Sequence, residues 1–243
     1  MAKSLANSLK QTLSETIAEN QLAFVKDREI TNAILIANEA IDWWKIKKSK
    51  GFVLKFDLLK AFDKISWSFI DFILEKKNFP NKWRSWIKAC ISNVHYSILI
   101  NGNPKGRIKA CRGIRQGNPL SPFIFFLAMD YLSRLLLHLE ARGALKGVTF
   151  NNSCHISHLL FANDILIFVE DNDTYIDNLQ MALTFFEKAS GLKFNHSKSI
   201  ISSVNIPAER TTYISNKLGF TNQFLPVSYL GDPLDGNPNS KPF

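Results

Sequence analysis

Two strand-like segments that end in acidic residues constrain this sequence more than any other feature. Asp57 follows the apolar run 52–56, and the tripeptide 162–164 (Ala-Asn-Asp) joins two further apolar runs. Side chains alternate along a strand, so Asp57 falls on the less apolar face of the first segment. Carboxylates from two separated strands are oxygen ligands of the kind that Mg²⁺ takes. The pattern therefore predicts a metal centre on a sheet, in which Asn163 supplies an amide where a carboxylate is expected.

Paired carboxylates of this kind are typical of nucleotidyl transfer and point to a polymerase palm. In such a centre one Mg²⁺ ion lowers the pKa of the attacking hydroxyl, and the other shields charge on the leaving pyrophosphate. A structural interpretation of the first segment remains open, with Asp57 ending a strand, Phe62 in the core and Asp63 capping a turn. His155 and His158 are three residues apart on a strand, which points their rings to opposite faces and argues against a histidine metal site.

The loop from Arg112 to Pro122 is rich in glycine and proline and leads into an apolar helical pattern. Glycines let a backbone approach a ligand closely, and the N-terminus of a helix attracts phosphate. Arg112 and Arg115 can add charge-assisted hydrogen bonds to an anion, so they are candidate nucleic-acid contacts. The alternative is a capped helix start with Pro122 in its first turn.

Helical and strand patterns mix without regular βαβ alternation, which favours an α+β fold built on an antiparallel sheet. Helices are predicted at 3–13, 29–46, 66–77, 81–90, 122–138 and 175–190; strands are predicted at 50–57 and 145–150, and hairpins at 95–110 and 157–169. Ser66 is expected to cap its helix through the side chain. Trp83, Trp86, Ile87 and Cys90 form a stripe expected to lie in the core. The segment 205–243 has a weaker pattern.

The overall composition suits a globular protein with a polyanionic partner. The 243 residues are 46% hydrophobic and carry a formal net charge of +9. Basic side chains neutralise phosphates, although the same charge is also found on surfaces that only solubilise. Three scattered cysteines argue against a disulfide scaffold and for a reducing compartment. Neither a signal peptide nor an apolar run of membrane-spanning length is apparent, so an intracellular location, nuclear or cytoplasmic, is expected without a membrane partner.

The blocks around Asp57, the loop 112–122 and the tripeptide 162–164, in this order, resemble the reverse transcriptase of LINE-type (non-LTR) retrotransposons, particularly those of plants. Further stretches that agree are 21–28 (QLAFVKDR), 96–102 (YSILING), 190–199 (SGLKFNHSKS) and 229–234 (YLGDPL). The resemblance covers essentially the whole chain. It implies a right-hand polymerase palm, an antiparallel sheet with packed helices, together with partial fingers and no thumb.

On this resemblance, residues 1–50 are expected to be fingers-like and 51–243 mainly palm with interleaved fingers segments, the whole being truncated at both ends. Its implied activity is RNA-directed DNA synthesis, in which deoxynucleoside triphosphates extend a DNA primer on an RNA template with two Mg²⁺ ions. Asp57 and Asp164 would be metal ligands, and Asn163 would occupy the place of the third catalytic aspartate. Phe62 would exclude a ribose 2′-hydroxyl. The residues implied to contact the nucleotide are Phe62, Arg28, Gln116, Gly117 and Lys198.

Three departures from the family pattern are expected to matter. The family has Phe-Ala-Asp-Asp at the hairpin, whereas Asn163 offers one neutral carbonyl oxygen. Loss of metal-assisted stabilisation is worth several kcal/mol, and about 1.4 kcal/mol is tenfold in rate, so a loss of roughly a thousandfold or more is expected. Asp27 replaces the usual glycine before Arg28, and Asn118 replaces an aspartate. The alternatives are a slow working enzyme, a non-catalytic RNA-binding or scaffold remnant, and a decayed copy; nothing in the sequence indicates an oligomeric state.

Overall fold

The structure, a computed structural model, describes residues 2–18, 20–22, 29–151 and 154–236, without the side chains of 13–16. The helices are α1 (Ala2–Thr16), α2 (Ile30–Lys47), α3 (Ala61–Lys64), α4 (Trp67–Lys76), α5 (Asn81–Ser92), α6 (Ser121–Ala141), α7 (Asp173–Ser190) and α8 (Ala208–Leu218). The strands are β1 (Gly51–Phe56), β2 (His95–Ile100), β3 (Asn103–Lys109), β4 (Val148–Phe150), β5 (Cys154–Ile156), β6 (His158–Phe161), β7 (Asp164–Glu170), β8 (Ile200–Val204), β9 (Thr221–Asn222), β10 (Val227–Tyr229) and β11 (Asp232–Leu234).

The chain divides into two compact units. The first comprises residues 1–17, 59–131 and 186–193, and the second comprises 18–58, 132–185 and 194–243. Hairpin β2–β3 and helices α3 to α5 belong to the first unit, whereas the sheet around β1 belongs to the second. The predicted division into fingers and palm segments stays a prediction.

The second unit contains a five-stranded sheet of order β6-β7-β1-β8-β9. Strand β1 lies between β7 and β8 and is antiparallel to both, and β6 is antiparallel to β7. The predicted α+β fold with an antiparallel sheet is therefore confirmed for four strands. The short β9 differs, because it pairs with β8 in parallel.

The face of the sheet that carries Val53 is covered by α2 and by the hairpin β10–β11. Helix α2 buries Ala33, Ala37, Ala40, Ile41 and Trp44 in this cluster, which also contains Val227, Tyr229 and Leu234 of the hairpin. Trp44 packs edge-to-face on Phe168, with ring centroids 6.0 Å apart. Burying a large apolar side chain stabilises a fold by about 1.5–3 kcal/mol, so this cluster anchors the strand that ends at Asp57.

Most predicted helices and hairpins are confirmed, and two local predictions are not. Ser66 stands before α4 but makes no capping bond; its hydroxyl hydrogen-bonds to that of Ser68 instead. In α5 the buried residues are Ile87 and Ile91, while Trp86 is 37% exposed, so the stripe is only partly in the core. The weak segment 205–236 contains α8 and three short strands.

Helix α6 bears on the prediction that the chain has no membrane-spanning run. With 21 residues, α6 is long and apolar enough to cross a membrane by those two criteria. More than half of it is buried within the protein, and buried core helices meet the same criteria. The expected absence of an apolar run is therefore corrected, and α6 is described as a core helix.

Candidate active site

Asp57 directly follows β1 and is held by the loop that precedes β8. Its backbone N–H donates to Ser199 Oγ at 3.2 Å, and its carbonyl accepts from the Asn195 N–H at 2.8 Å. Asn195 Nδ2 also donates to Asp57 Oδ2 at 3.2 Å. Three contacts thus fix both the backbone and the carboxylate of Asp57, which stays half-exposed.

The hairpin β6–β7 presents Asn163 and Asp164 at its tip. Phe161 pairs with Asp164, so Ala162 and Asn163 form a two-residue turn. Ala162 has a φ of +52°, as hairpin turns of this length require, although the left-handed region costs a non-glycine residue about 1–2 kcal/mol. Neighbouring structure must hold this conformation, and such retained strain is common where a chain presents functional groups.

The strand register brings the two aspartates together. Phe56 pairs with Ile165 across β1 and β7, and continuing the register by one residue sets Asp57 opposite Asp164. Directly opposed residues have Cβ atoms about 4.5–5.5 Å apart. This juxtaposition was predicted from the sequence, and it depends on the hairpin turning at Ala162 and Asn163.

The charges around Asp57 and Asp164 affect the pKa of Asp164, as their opposed positions in the sheet lead us to expect. Partial burial raises the pKa of the Asp164 carboxyl, the charge of Lys55 opposes that rise, and the charge of Asp57 adds to it. Asp57, Asp164 and Lys55 are therefore close enough to interact. A divalent cation would relieve the repulsion between the two carboxylates.

The donor set fits Mg²⁺ in chemical type, because carboxylate and amide oxygens are hard ligands. In the part of the chain that the structure describes, no group of three His, Cys, Asp or Glu side chains could hold a metal ion. Asn163, which is half-buried at the turn next to Asp164, carries no charge.

Of the residues predicted to contact the nucleotide, Lys198 lies in the same unit as the aspartates. Its side chain is exposed in the turn 195–198, whose Lys198 N–H donates to the Asn195 carbonyl at 3.0 Å. Arg28, with the neighbouring Asp27, lies outside the described residues. The hydrogen bonds between Asn195 and Asp57 were not predicted, because the segment 190–199 was singled out only by its resemblance to a family.

Phe62 lies in the first unit, on α3. Its ring stacks on Phe125, with centroids 5.2 Å apart and planes 20° from parallel. The Phe62 carbonyl accepts from the Ile114 N–H at 2.6 Å, and Gly113 donates to the Ile65 carbonyl at 2.8 Å. A Cβ on Gly113 would lie 2.7 Å from the Asp63 carbonyl oxygen, so only glycine fits where the loop meets α3.

The predicted ligand-binding residues of this loop are all exposed: Arg112, Arg115, Gln116 and Gly117. The Asn118 side chain accepts from the Leu120 N–H at 3.0 Å, and Ser121 Oγ donates to the Arg115 carbonyl at 2.7 Å. These bonds fix the start of α6, as the capped-helix interpretation expects. They also leave the side chains of Arg112 and Arg115 accessible to an anion.

The two histidines are not metal ligands together. His155 is exposed and hydrogen-bonds to Thr149, whereas His158 is buried and hydrogen-bonds to Ser133 Oγ at 2.7 Å. Burial lowers the pKa of His158 to about 3. The prediction of separate surface and hydrogen-bonded histidines is confirmed.

Comparisons with known proteins identify the relatives of this chain. The sequence profile of the family described as "Reverse transcriptase (RNA-dependent DNA polymerase)" matches residues 1–234. The Pol polyprotein of the retrotransposable element R2 from Popillia japonica is 25% identical over 82% of this chain and 34% of its own length. An uncharacterized mitochondrial protein of Arabidopsis thaliana is 43% identical over 30% of this chain and 62% of its own length.

Among solved structures, telomerase from Candida albicans in complex with a fragment of telomeric RNA matches with a TM-score of 0.62. It is 15% identical and covers 82% of this chain and 34% of its own. Apo telomerase from Candida tropicalis matches with a TM-score of 0.58 at 14% identity, over 86% and 36% of the two chains. At these identities the likeness concerns the fold alone. The chain spans about a third of the polyprotein and the telomerases it matches.

Proposed function

The chain belongs to the reverse transcriptase family, as a domain of the non-LTR retrotransposon type, and we propose that it is an RNA-directed DNA polymerase domain impaired by Asn163. The observation that carries the proposal is the register that sets Asp57 opposite Asp164, with Asn163 at the adjoining turn. Its proposed partners are an RNA template, a DNA primer and deoxynucleoside triphosphates. The exposed Arg112 and Arg115 and the net charge of +9 support a nucleic-acid partner.

Asp57 and Asp164 would hold Mg²⁺ through their carboxylate oxygens. When bound, two such ions lower the pKa of the primer 3′-hydroxyl and shield charge on the departing pyrophosphate. Asn195 keeps the Asp57 carboxylate in place through its 3.2 Å hydrogen bond. Lys55 favours the ionised form of Asp164, because its charge opposes the rise in the pKa of that carboxyl.

The expected loss in the rate of primer extension can be worked out from the charges of Asp57, Asp164 and Lys55. Two carboxylates and the Lys55 ammonium leave a net charge of about one negative unit, and a third carboxylate would double it. One more unit charge about 5 Å from a divalent ion gains roughly 6–7 kcal/mol at an effective dielectric constant of about 20. If desolvation removes about half of this, the remaining 3–4 kcal/mol corresponds to a factor of roughly a hundred to a thousand in rate.

The test is Mg²⁺-dependent extension of a DNA primer on an RNA template by the chain and its Asn163→Asp variant. We expect extension by the variant to be roughly a thousandfold faster. Asn101→Asp is the matched control, since it adds the same charge at the turn of hairpin β2–β3. Equal rates for the chain and Asn163→Asp, with both folded and both bound to primer-template, would refute impairment by Asn163. Extension by neither protein would refute the catalytic proposal for this chain.

A non-catalytic RNA-binding domain is the second candidate, and the exposed arginines of the loop 112–115 favour it. Binding through phosphates weakens steeply as salt rises from about 50 to 200 mM. This function predicts salt-sensitive binding of RNA that Asp57→Ala leaves unchanged and that Arg112→Ala with Arg115→Ala weakens. If the chain, Asp57→Ala and the double arginine variant bind RNA with equal affinity, RNA binding through Arg112 and Arg115 is refuted.

A further inference from the structure

The hairpin β2–β3 is exposed along both of its strands. Every residue of β2 and of β3 is exposed to solvent. The two strands form a sheet of their own and pair with no other strand among the described residues. An isolated two-stranded hairpin is only marginally stable in water. A surface of this kind is therefore expected to have a partner.

The two strands of this hairpin differ in their chemistry. Strand β3 carries Lys105, Arg107 and Lys109, whereas β2 has no lysine or arginine. Strand β2 instead carries four large apolar side chains that are 50–70% exposed: Tyr96, Ile98, Leu99 and Ile100. The hairpin thus presents apolar side chains on one strand and a row of cations on the other.

The strand register brings both kinds of side chain to one face. Tyr96 and Ile98 are two residues apart on β2, so they point to the same side. Tyr96 pairs with Ile108 and Ile98 pairs with Lys105, and paired residues share a face. This face therefore combines three exposed apolar side chains with a lysine.

The edge of β3 is poorly suited to pairing with a strand of a second copy. Gly106, with a φ of +69°, and Arg107 stand opposite Ser97, so the ladder is interrupted by a bulge. Pro104 lacks a backbone N–H, and Lys105 follows it. Bulges, prolines and lysines are the features by which natural sheets prevent edge-to-edge association.

The charge around the hairpin has one sign. Residues 76–129 contain ten lysine and arginine residues and no aspartate or glutamate, so this stretch accounts for the whole net charge of +9. Lys77 and Arg84 pair with acidic residues outside the stretch, whereas the cations of β3 are exposed. Protein interfaces are depleted in lysine, and clustered cations bind phosphates. The charge therefore favours a polyanion over a protein as the partner.

A single-stranded nucleic acid matches both strands of the hairpin. Binding sites for single strands combine a positively charged track for the phosphates with side chains on which unpaired bases pack. In a duplex the bases are stacked inside, and only their edges can be reached from the grooves. The exposed apolar side chains of β2 therefore favour an unpaired strand over a duplex.

We propose that β2 and β3 bind a single-stranded nucleic acid, with phosphates along Lys105, Arg107 and Lys109 and with bases packed on Tyr96 and Ile98. The contacts lie on the strands, so the turn at the tip of the hairpin is outside this surface. The proposal deepens the nucleic-acid partner proposed above and rests on it, but it needs neither a metal ion nor catalysis. Unpaired RNA and unpaired DNA share the recognised chemistry.

Replacing Lys105, Arg107 and Lys109 together by glutamine tests the phosphate contacts. Each phosphate contact contributes about 0.7 to the slope of log affinity against log salt for a single strand, so the slope should become shallower by about 2. The matched control replaces three exposed lysines of the second unit by glutamine, and its slope should stay that of the parent: Lys47, Lys48 and Lys50.

Tyr96→Ser with Ile98→Thr tests the packing of bases. Affinity for a single strand should fall by roughly five- to 150-fold, which is the range that stacking on one base supplies. The salt slope should not change, because no charge is removed. The matched control is Tyr213→Ser with Leu35→Thr, which alters two exposed apolar side chains of the second unit and should leave the affinity unchanged.

The experiment measures the fluorescence anisotropy of short labelled oligonucleotides between about 50 and 200 mM salt. The probes are an unpaired RNA, the unpaired DNA of the same sequence and the corresponding duplex. Urea unfolding shows that each variant is folded, and sedimentation gives its oligomeric state. We expect tighter binding of an unpaired strand than of the duplex, and the comparison of RNA with DNA identifies which strand the surface prefers.

The results that would overturn the proposal differ in what else they remove. Binding of single strands by the folded chain that neither hairpin variant weakens, or that the controls weaken equally, refutes the role of the hairpin alone. Preference for the duplex refutes the single strand as partner. A change in oligomeric state with unchanged affinity in Tyr96→Ser with Ile98→Thr assigns the apolar side chains to a protein contact. Failure of the chain to bind any probe refutes the proposed nucleic-acid partner and the hairpin surface together.

Discussion

The stability of this protein should fall in mild acid because of His158. This residue begins β6, the strand that leads to Ala162 and Asn163, and its Nε2 lies 2.7 Å from Ser133 Oγ on α6. Its other ring nitrogen, Nδ1, lies 3.1 Å from Ser157 Oγ. Burial lowers the pKa of His158 to about 3, so the folded protein keeps the ring neutral through the physiological range.

The direction and size of the effect follow from proton linkage. The unfolded chain binds a proton on this histidine below about pH 6.5, whereas the folded protein does so only near pH 3. The full contribution is therefore present above about pH 6.5 and is lost as the pH falls toward 3. Each pH unit between these limits costs about 1.4 kcal/mol, which gives a loss of roughly 1.4 kcal/mol at pH 5.5 and nearly 3 at pH 4.5.

The assay is urea unfolding at pH 7.5, 5.5 and 4.5 for the protein and for His158→Gln. Carboxyl groups also titrate in this range, and Asp164 acts in the opposite direction because its raised pKa favours the folded state as the pH falls. These contributions are common to the protein and His158→Gln, so they cancel in the difference between the two unfolding free energies. We expect the difference in unfolding free energy between the two proteins to shrink by about 1.4 kcal/mol from pH 7.5 to 5.5. Parallel pH profiles would refute the assignment of a neutral, buried histidine.

Three further substitutions test the local structure around the site. Asn195→Ala in the Asn163→Asp background should weaken Mn²⁺ binding about tenfold, measured by the loss of the free Mn²⁺ electron paramagnetic resonance signal, because the hydrogen bond to the Asp57 carboxylate is lost; unchanged binding would contradict this. Gly51→Val should lower the urea midpoint, by about 1–3 kcal/mol in unfolding free energy, because a Cβ there would overlap the buried Trp44 ring; an unchanged midpoint would show that Trp44 moves freely. Ala162→Val should cost about 1–2 kcal/mol more than Ala162→Gly in the same assay, since a β-branched residue is disfavoured at positive φ; equal midpoints would refute the turn conformation.

The positions of the two aspartates, one after a strand and one at a hairpin tip, could be predicted because each depends on a local rule. Alternation along β1 fixes the face of Asp57, and the short hairpin turn fixes which residue of β7 stands at the tip. The helices α2 and α7 were also predictable from the sequence pattern, and α7 is followed by Gly191, whose φ is +75°. Each of these predictions needs information from only a few neighbouring residues.

What could not be predicted depends on contacts between distant segments. Strands β9, β10 and β11 have only two or three residues each, which is too short for alternation to be seen. Ser66 matched a capping signal, but its hydroxyl found Ser68 instead. The contact of Lys55 with the Ser228 carbonyl joins residues 173 positions apart, so no local pattern in the sequence could reveal it.

The contacts around the aspartates bear on whether one side chain can account for the proposed impairment. Asp57 is held by Asn195 and Ser199, and both sets of bonds are independent of residue 163. The change from aspartate to asparagine alters a half-exposed side chain by one charge and almost no volume, so the turn has no reason to rearrange. Removing the positive charge of Lys55 would give the same net charge as a carboxylate at position 163, but it would add no oxygen ligand. On the function proposed above, a ligand at position 163 is what distinguishes Asn163→Asp from the chain.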